Sequence, residues 1–475
     1  MAQSTLWYLT RGGLGAGAGG GDESWGVDVD SAGNIYWATC EKPAGGGYFN
    51  IILYKIDSSG QEIYASAPFG GQWNEKAFMA KVNSNTVYLG GRQDTTWWPT
   101  SANALVLAYD ITNGNYLWQY TWDGGYGYEE IDGLVPESDG IYLSGWTTGQ
   151  STSNDFLIQK IDYSGQQVWN NPWGTTMWDD ANGHMVVDDT RIFIAGRDSA
   201  TGQLSNDGDA ILTCFDRTTG NFLWRKSWGG TGIDDYFGMT ASSDSFLYAV
   251  GFTTGFSNGS QIFIHKYTKA GVLLWSRIWG GSGAESSRAI IADGDSIIFI
   301  AGKTTSYGSG DNDILLLKYD SSGNLLDSLI WGGVGYEVAH DMVMYGDYIY
   351  LCGETGSFGT QNTQNDALLL KINGRIMQTP DTTITAVPFI SDESSVKIFP
   401  NPFSDYTTVH LKIRNEDMKE VSIRIFDVYG RKVDADMIRK ANSFVISVGD
   451  LFAGIYFLKL KSKKLSAIRK IIIVK

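Results

Sequence analysis

Trp228-Gly229-Gly230-Thr231-Gly232-Ile233-Asp234 decides the fold, because the chain repeats it. The pattern returns as Trp279–Glu285 (WGGSGAE) and Trp331–Glu337 (WGGVGYE), and more loosely as Phe69–Glu75 (FGGQWNE), Trp122–Glu129 (WDGGYGYE) and Trp173–Asp179 (WGTTMWD). From Phe69 onward the copies start 53, 51, 55, 51 and 52 residues apart, and a degenerate first copy, RGGLGAGAGGGDE, begins at Arg11. Seven copies at a period near 52 mark a repeat architecture.

Each period reads as four short strands. After Glu285 come SRAIIADG, SIIFIAGKTTS, DILLLKYDSSG and NLLDSLIWGG, apolar runs (here A to D) split by Gly, Asp and Ser. No segment keeps a 3.6-residue period over a useful length. The C–D turns read D-x-x-G at Asp57–Gly60, Asp162–Gly165 and Asp320–Gly323, with longer forms at Asp110–Gly114 and Asp216–Gly220. Asp to start the turn and Gly for positive φ is hairpin chemistry. Four antiparallel strands repeated seven times predict a β-propeller. The last repeat stops after its third strand, at Leu368–Ile372, whereas Thr5–Gly13 (TLWYLTRGG) aligns with the fourth strand Phe222–Gly230 (FLWRKSWGG). The N-terminal strand is therefore expected to complete the seventh blade and remove the free edges a solenoid would leave. The paired tryptophans Trp118/Trp122, Trp169/Trp173, Trp224/Trp228 and Trp275/Trp279 fall on one strand face and should pack between blades.

Composition agrees. The 475 residues include 59 Gly and 63 aromatics, with 43% hydrophobic and 19% charged residues, which suits many short strands and tight turns. No run of 18 apolar residues exists, so no membrane span is expected. Residues 1–395 carry 20 Lys and Arg against 44 Asp and Glu, which disfavours nucleic-acid binding. Residues 396–475 carry 16 against 8, a different object and hence a second domain. Cys40, Cys214 and Cys352 sit in apolar runs and read as buried thiols. Met1-Ala2-Gln3-Ser4 shows no charged or apolar leader, which suggests a cytosolic chain or a processed form. The expected organisation is all-β: residues 1–374 a seven-bladed β-propeller closed by its N-terminal strand, 375–395 a linker, and 396–475 a small Ig-like β-sandwich.

Resemblances enter on these motifs. The unit DILLLKYDSSGNLL…WGGVGYE resembles the bacterial β-propeller repeats that carry Trp/Leu-Gly-Gly-x-Gly-x-Asp. Phe215–Trp224 and Tyr109–Trp118 resemble the tryptophan-docking motif of quinoprotein propellers, which implies eight blades, a calcium–quinone site and a catalytic acid; seven blades and no such site are found here. Kelch repeats have a similar period, but their Gly-Gly doublet closes strand B, as only Gly90-Gly91 does here.

The C-terminal segment resembles the type IX secretion sorting domain of Bacteroidetes-type bacteria. Three boxes carry the likeness: Pro400-Asn401-Pro402 within Phe399–Phe403, Asp427 and Gly430 within Ile425–Arg431, and Gly454, Tyr456 and Lys470 near the end. The resemblance implies periplasmic transit, passage through an outer-membrane translocon, and removal by a surface sortase, often with transfer to an outer-membrane lipopolysaccharide anchor. The expected location is secreted or cell-surface.

Catalytic patterns are sparse. His184, His265, His340 and His410 form no metal-ligand pair and read as core or channel-lining groups. No Gly-x-Ser-x-Gly elbow occurs, and Asp28–Gly33 lacks the length of a calcium loop. Two rings of equivalent positions stand out. The first is the acid that opens each strand A: Asp22, Glu75, Glu129, Asp179, Asp234, Glu285 and Glu337, expected to accept N–H bonds from the glycine-rich turns or to form a cation-binding mouth, with calcium the candidate ion. The second closes each strand B: Cys40, Arg92, Trp146, Arg197, Phe252, Lys303 and Glu354. Its chemistry changes from blade to blade, whereas packing would reuse one residue. With the loop residues Trp97 and Trp98 this ring is the expected site for a glycan or peptide. The expected function is a secreted, non-enzymatic recognition propeller without a cofactor. The alternatives are a quinoprotein-like or polysaccharide-active enzyme and a structural surface-layer component.

Overall fold

The computed structural model describes residues 6–12, 21–43, 47–96, 101–125, 127–148, 154–175, 179–181, 184–198, 208–243, 246–255, 259–359, 365–375 and 377, and, further on, 396–399, 401, 403–411, 421–427, 432–433, 435–440, 443–447, 451, 454–461 and 466–473. The chain divides into two compact units, Met1–Asp381 and Thr382–Lys475. The described residues are all-β, without a helix.

In the first unit they form seven antiparallel sheets, each built from one repeat. Sheet 1 runs Glu23–Val29, Ile35–Glu41, Asn50–Ile56 and Glu62–Ala65; sheet 2 runs Glu75–Asn83, Thr86–Asp94, Ala102–Asp110 and Tyr116–Trp122; sheet 3 runs Glu129–Glu137, Gly140–Thr148, Asn154–Ile161 and Gln167–Asn170. Sheet 4 begins with a split strand, Asp179–Asp180 and Met185–Val187, followed by Arg191–Asp198, Asp209–Asp216 and Phe222–Trp228. Sheet 5 comprises Asp234–Ala241, Phe246–Thr253, Gln261–Thr268 and Leu273–Trp279, and sheet 6 comprises Glu285–Asp293, Ile297–Thr304, Asp313–Asp320 and Leu325–Trp331. Sheet 7 takes Glu337–Tyr345, Tyr348–Thr355 and Asp366–Asn373, and its fourth strand is the N-terminal Tyr8–Arg11, with Tyr8 opposite Leu370 and Arg11 opposite Ala367. Strand A of each sheet packs on strand A of the next, and strand A of sheet 7 on that of sheet 1.

Two local devices repeat. Five C–D turns are held by their own Asp, as where Asp57 Oδ1 accepts the N–H groups of Ser59 and Gln61 while Gly60 takes φ +93°; in sheet 5 Thr268 takes that place. In sheets 1, 3, 4 and 5 the turn glycine also lies under a tryptophan of the preceding sheet, whereas Gly114 meets Tyr64 and Gly323 meets Arg277. A Cβ at Gly165, Gly220 or Gly271 would stand 2.9, 2.6 or 2.9 Å from the rings of Trp118, Trp169 and Trp224, so only glycine permits the stacking. The inter-sheet cores are dominated by buried Ile, Leu, Tyr and Phe, and Cys40, Cys214 and Cys352 are buried among them as free thiols.

The second unit holds two four-stranded sheets, ordered Val396–Phe399, Tyr406–Leu411, Ser443–Ser447, Met437–Arg439 and Lys432–Val433, Ser422–Asp427, Gly454–Lys461, Ser466–Ile473. They share one core that includes Val409, Leu411, Ile425, Ile446, Leu458 and Ile471.

Candidate functional site

The residues that converge are those of strand A and the end of strand B. In six sheets strand A carries a bulge three residues after its leading acid, at Trp25, Phe78, Asp132, Phe237, Arg288 and His340. The equivalent region of sheet 4, around Asn182, lies outside the described residues. An extra residue on one strand re-aims its side chain and leaves it unpaired in the ladder. Five of these side chains meet one another across sheets, and Asp132 acts electrostatically on Arg288. Trp25 stacks on His340 at 3.7 Å and 17°, and meets Phe78 edge-on at 5.6 Å. The Arg288 guanidinium lies 4.7 Å from the Trp25 ring and 4.9 Å from Phe237. Further along the same strands His184 of sheet 4 comes within 4.0 Å of Asp341 of sheet 7. This ring of bulge residues is absent from the sequence expectation, save for His184 and His340 as core or channel-lining groups. The signal was present: the third residue after each acid varies in chemistry.

The first ring is buried and committed locally. A Glu75 carboxylate oxygen accepts Gly71 N–H at 3.0 Å, Asp234 accepts Gly230 N–H at 3.0 Å, Glu285 accepts Gly281 N–H at 2.9 Å, and Glu337 accepts Gly333 N–H at 2.8 Å. Asp179 binds Thr175 through N–H and hydroxyl at 2.6 and 2.8 Å, and Asp22 accepts Lys42 N–H at 2.7 Å. Burial pushes Glu129 up to about 7, against the hydroxyl of Thr147 and the N–H of Gly124.

The strand-B ring is placed as the repeat predicts: Cys40, Arg92, Trp146, Arg197, Phe252, Lys303 and Glu354 each stand opposite the residue that follows the leading acid. Its members are differently occupied. Arg92 pairs with Asp94 at 3.0 Å and with Glu130 of the next sheet at 2.8 Å. Arg197 pairs with Asp180 at 3.1 Å and with Asp235 of the next sheet at 3.7 Å. Both guanidinium groups act as clamps between sheets. Trp146 donates to Glu130 Oε1 at 2.7 Å and stacks on Tyr128 at 4.6 Å and 7°. Phe252 stacks on Phe237 at 5.7 Å. Glu354 accepts from His340 Nε2 at 3.0 Å and from Asn365 at 2.9 Å. Burial holds His340 below its ordinary value, so its neutral ring donates from Nε2 and leaves Nδ1 buried without a partner. Burial also raises Asp132 well above the usual carboxylate range, and its Oδ2 has no hydrogen-bond partner. Cys40 is fully buried, its thiol pushed up to about 12 by burial. Trp97 and Trp98 lie outside the described residues.

The sorting-box residues are less fully placed. Asn401 is exposed, and Asp427, Gly454, Tyr456 and Lys470 lie in strands, Tyr456 buried; Pro400, Pro402 and Gly430 lie outside the described residues. Residues 397–474 match the secretion system C-terminal sorting domain family. That segment is a sorting domain. It implies export and interaction with the secretion machinery, and no helix among the described residues is long and apolar enough to cross a membrane. No curated protein matches the chain. Among solved structures, the WD40 β-propeller domain of Doa1 is 12% identical, with 77% of this chain and 96% of that one covered and a TM-score of 0.46. The Neurospora crassa Pan2 WD40 domain is 11% identical, covering 78% and 97%, TM-score 0.46. Quinohemoprotein alcohol dehydrogenase from Comamonas testosteroni is 11% identical, covering 82% and 79%, TM-score 0.40.

Proposed function

We propose that the chain is a secreted recognition protein: a seven-bladed β-propeller closed by its N-terminal strand, exported through a type IX-like translocon by a cleavable, Ig-like C-terminal domain, and binding a glycan or peptide where the A strands converge. Closure is supported by the pairing of Tyr8–Arg11 with Ala367–Leu370 and by the packing of strand A of sheet 7 on sheet 1. Export is supported by the sorting-domain match.

The observation that carries the binding reading is the contrast between a repeated frame and unrepeated side chains. The leading acids and turn bonds recur in sheet after sheet, while the bulge and strand-B positions carry Trp, Phe, Asp, Arg, His, Lys and Glu. A frame that needed only packing would reuse one residue; different polar and aromatic groups converging on one axis form a recognition surface. Glycan and peptide arrays probed with the full chain test it. Bound ligands should be lost on Trp146→Ala and on Lys303→Ala. An array without ligands, or ligands retained by both variants and lost on substitutions in the C–D turns, refutes the site.

A further inference from the structure

The repeat supplies its own comparison. In sheets 2 and 4 the cation that closes strand B finds a carboxylate on the next sheet, one residue after the leading acid: Arg92 finds Glu130 and Arg197 finds Asp235. Arg92 has a second carboxylate two residues on, Asp94. Lys303 holds the same position in sheet 6, and its ammonium lies 5.4 Å from the ring of Tyr336, as Arg92 lies 5.1 Å from the ring of Tyr128. Here the residue after the next leading acid is Val338, and the residue two on is Thr305. Both counter-charges have been replaced, and Lys303 makes no hydrogen bond or ion pair among the described residues.

A second cation stands beside it. Arg288 belongs to the same sheet, and its charge acts on Lys303. Its contacts are with the faces of Trp25 and Phe237, and it too has no hydrogen bond or ion pair among the described residues. Glu354 acts electrostatically on both, but its two oxygens accept from His340 and Asn365, and it forms no direct ion pair with either cation. Burial lowers the pKa of both cations, the sign of positive charge held away from solvent.

Resting on the binding reading above, we propose that Lys303 and Arg288 hold the carboxylate of a hexuronate sugar, the ligand supplying to Lys303 the charge that Glu130 supplies to Arg92. A planar guanidinium and an ammonium together match one carboxylate. Asp132 and Asp235 also act electrostatically on Arg288 and offer acceptor oxygens to hydroxyl groups. The rings of Tyr336 and Phe237 lie against the two cations and give the site an apolar border.

Titration calorimetry of the full chain with D-glucuronate and D-galacturonate, with D-glucose and acetate as the neutral and the non-sugar arms, tests this. At least one uronate should bind about tenfold or more tightly than glucose and acetate, and Lys303→Gln and Arg288→Gln should each weaken it at least about tenfold. Val338→Glu restores within the chain the carboxylate of sheet 3; it should abolish uronate binding while leaving the melting temperature unchanged or raised. Neither uronate binding, glucose or acetate binding as well as uronate, or a Val338→Glu protein that binds uronate normally would each overturn the assignment. Those results leave the broader reading standing wherever the arrays show a neutral ligand that depends on Trp146, and an array without ligands removes both.

Discussion

Replacing Trp7 by alanine asks whether the N-terminal strand is a working member of the ring. Trp7 precedes the strand Tyr8–Arg11; its carbonyl accepts Lys371 N–H at 2.9 Å, and its indole N–H donates to Ser58 O of sheet 1 at 3.3 Å. A Cβ at Gly60 would stand 3.0 Å from its ring, so Trp7 covers the C–D turn of sheet 1 as Trp118, Trp169 and Trp224 cover those of sheets 3, 4 and 5. Removing a fully buried Trp costs ~3–5 kcal/mol; Trp7 is partly buried, so the expected loss is about 2.5 kcal/mol. For a unit of 381 residues, an unfolding entropy of ~2.1 cal/mol/K per residue gives ~0.8 kcal/mol/K, and the melting temperature should fall by about 3 °C. Scanning calorimetry of Trp7→Ala beside Trp169→Ala reads the comparison directly: both should fall by similar amounts. A Trp7→Ala protein that melts with the wild type while Trp169→Ala falls would refute closure by this strand.

Three further outcomes are expected. Glu129 has its carboxyl raised by burial to about 7, above the value near 4.5 of an unfolded chain, so its contribution to stability falls as pH rises from about 4.5 to 7; Glu129→Gln should gain melting temperature relative to wild type at pH 8 and not at pH 5, and a pH-independent difference contradicts the assignment. Arg92→Gln leaves Glu130 and Asp94 without their cation and should cost about 2–4 kcal/mol in denaturant unfolding, with most of it recovered on adding Glu130→Gln; an additive double mutant would show that the clamp is not a coupled pair. A chain ending at residue 395 should remain in the periplasm of a type IX-competent host on cell fractionation, and its appearance in the medium would remove the sorting role from residues 396–475.

The strands, the turns and the register of the two rings could be read from residues alone because each is fixed locally. An Asp that caps its own turn, as Asp57 does, and a glycine at positive φ, as Gly60 is, act within four residues. A 52-residue period then copies that register, which is why Arg92, Arg197 and Lys303 could be set at equivalent positions before any coordinates. Two things were settled only in three dimensions. Strand alternation has period two, and a bulge adds one residue to it, so the inward aim of Asp132, Phe237 and Arg288 follows from pairing with strand B. The ionic partner of each ring cation comes from the next repeat: Arg92 meets Glu130 across 38 positions of chain. Local sequence cannot distinguish a cation consumed by its neighbour, such as Arg92 or Arg197, from one left open, such as Lys303, because Coulomb attraction acts over a few ångströms of space and only the packing of one sheet on the next sets that distance.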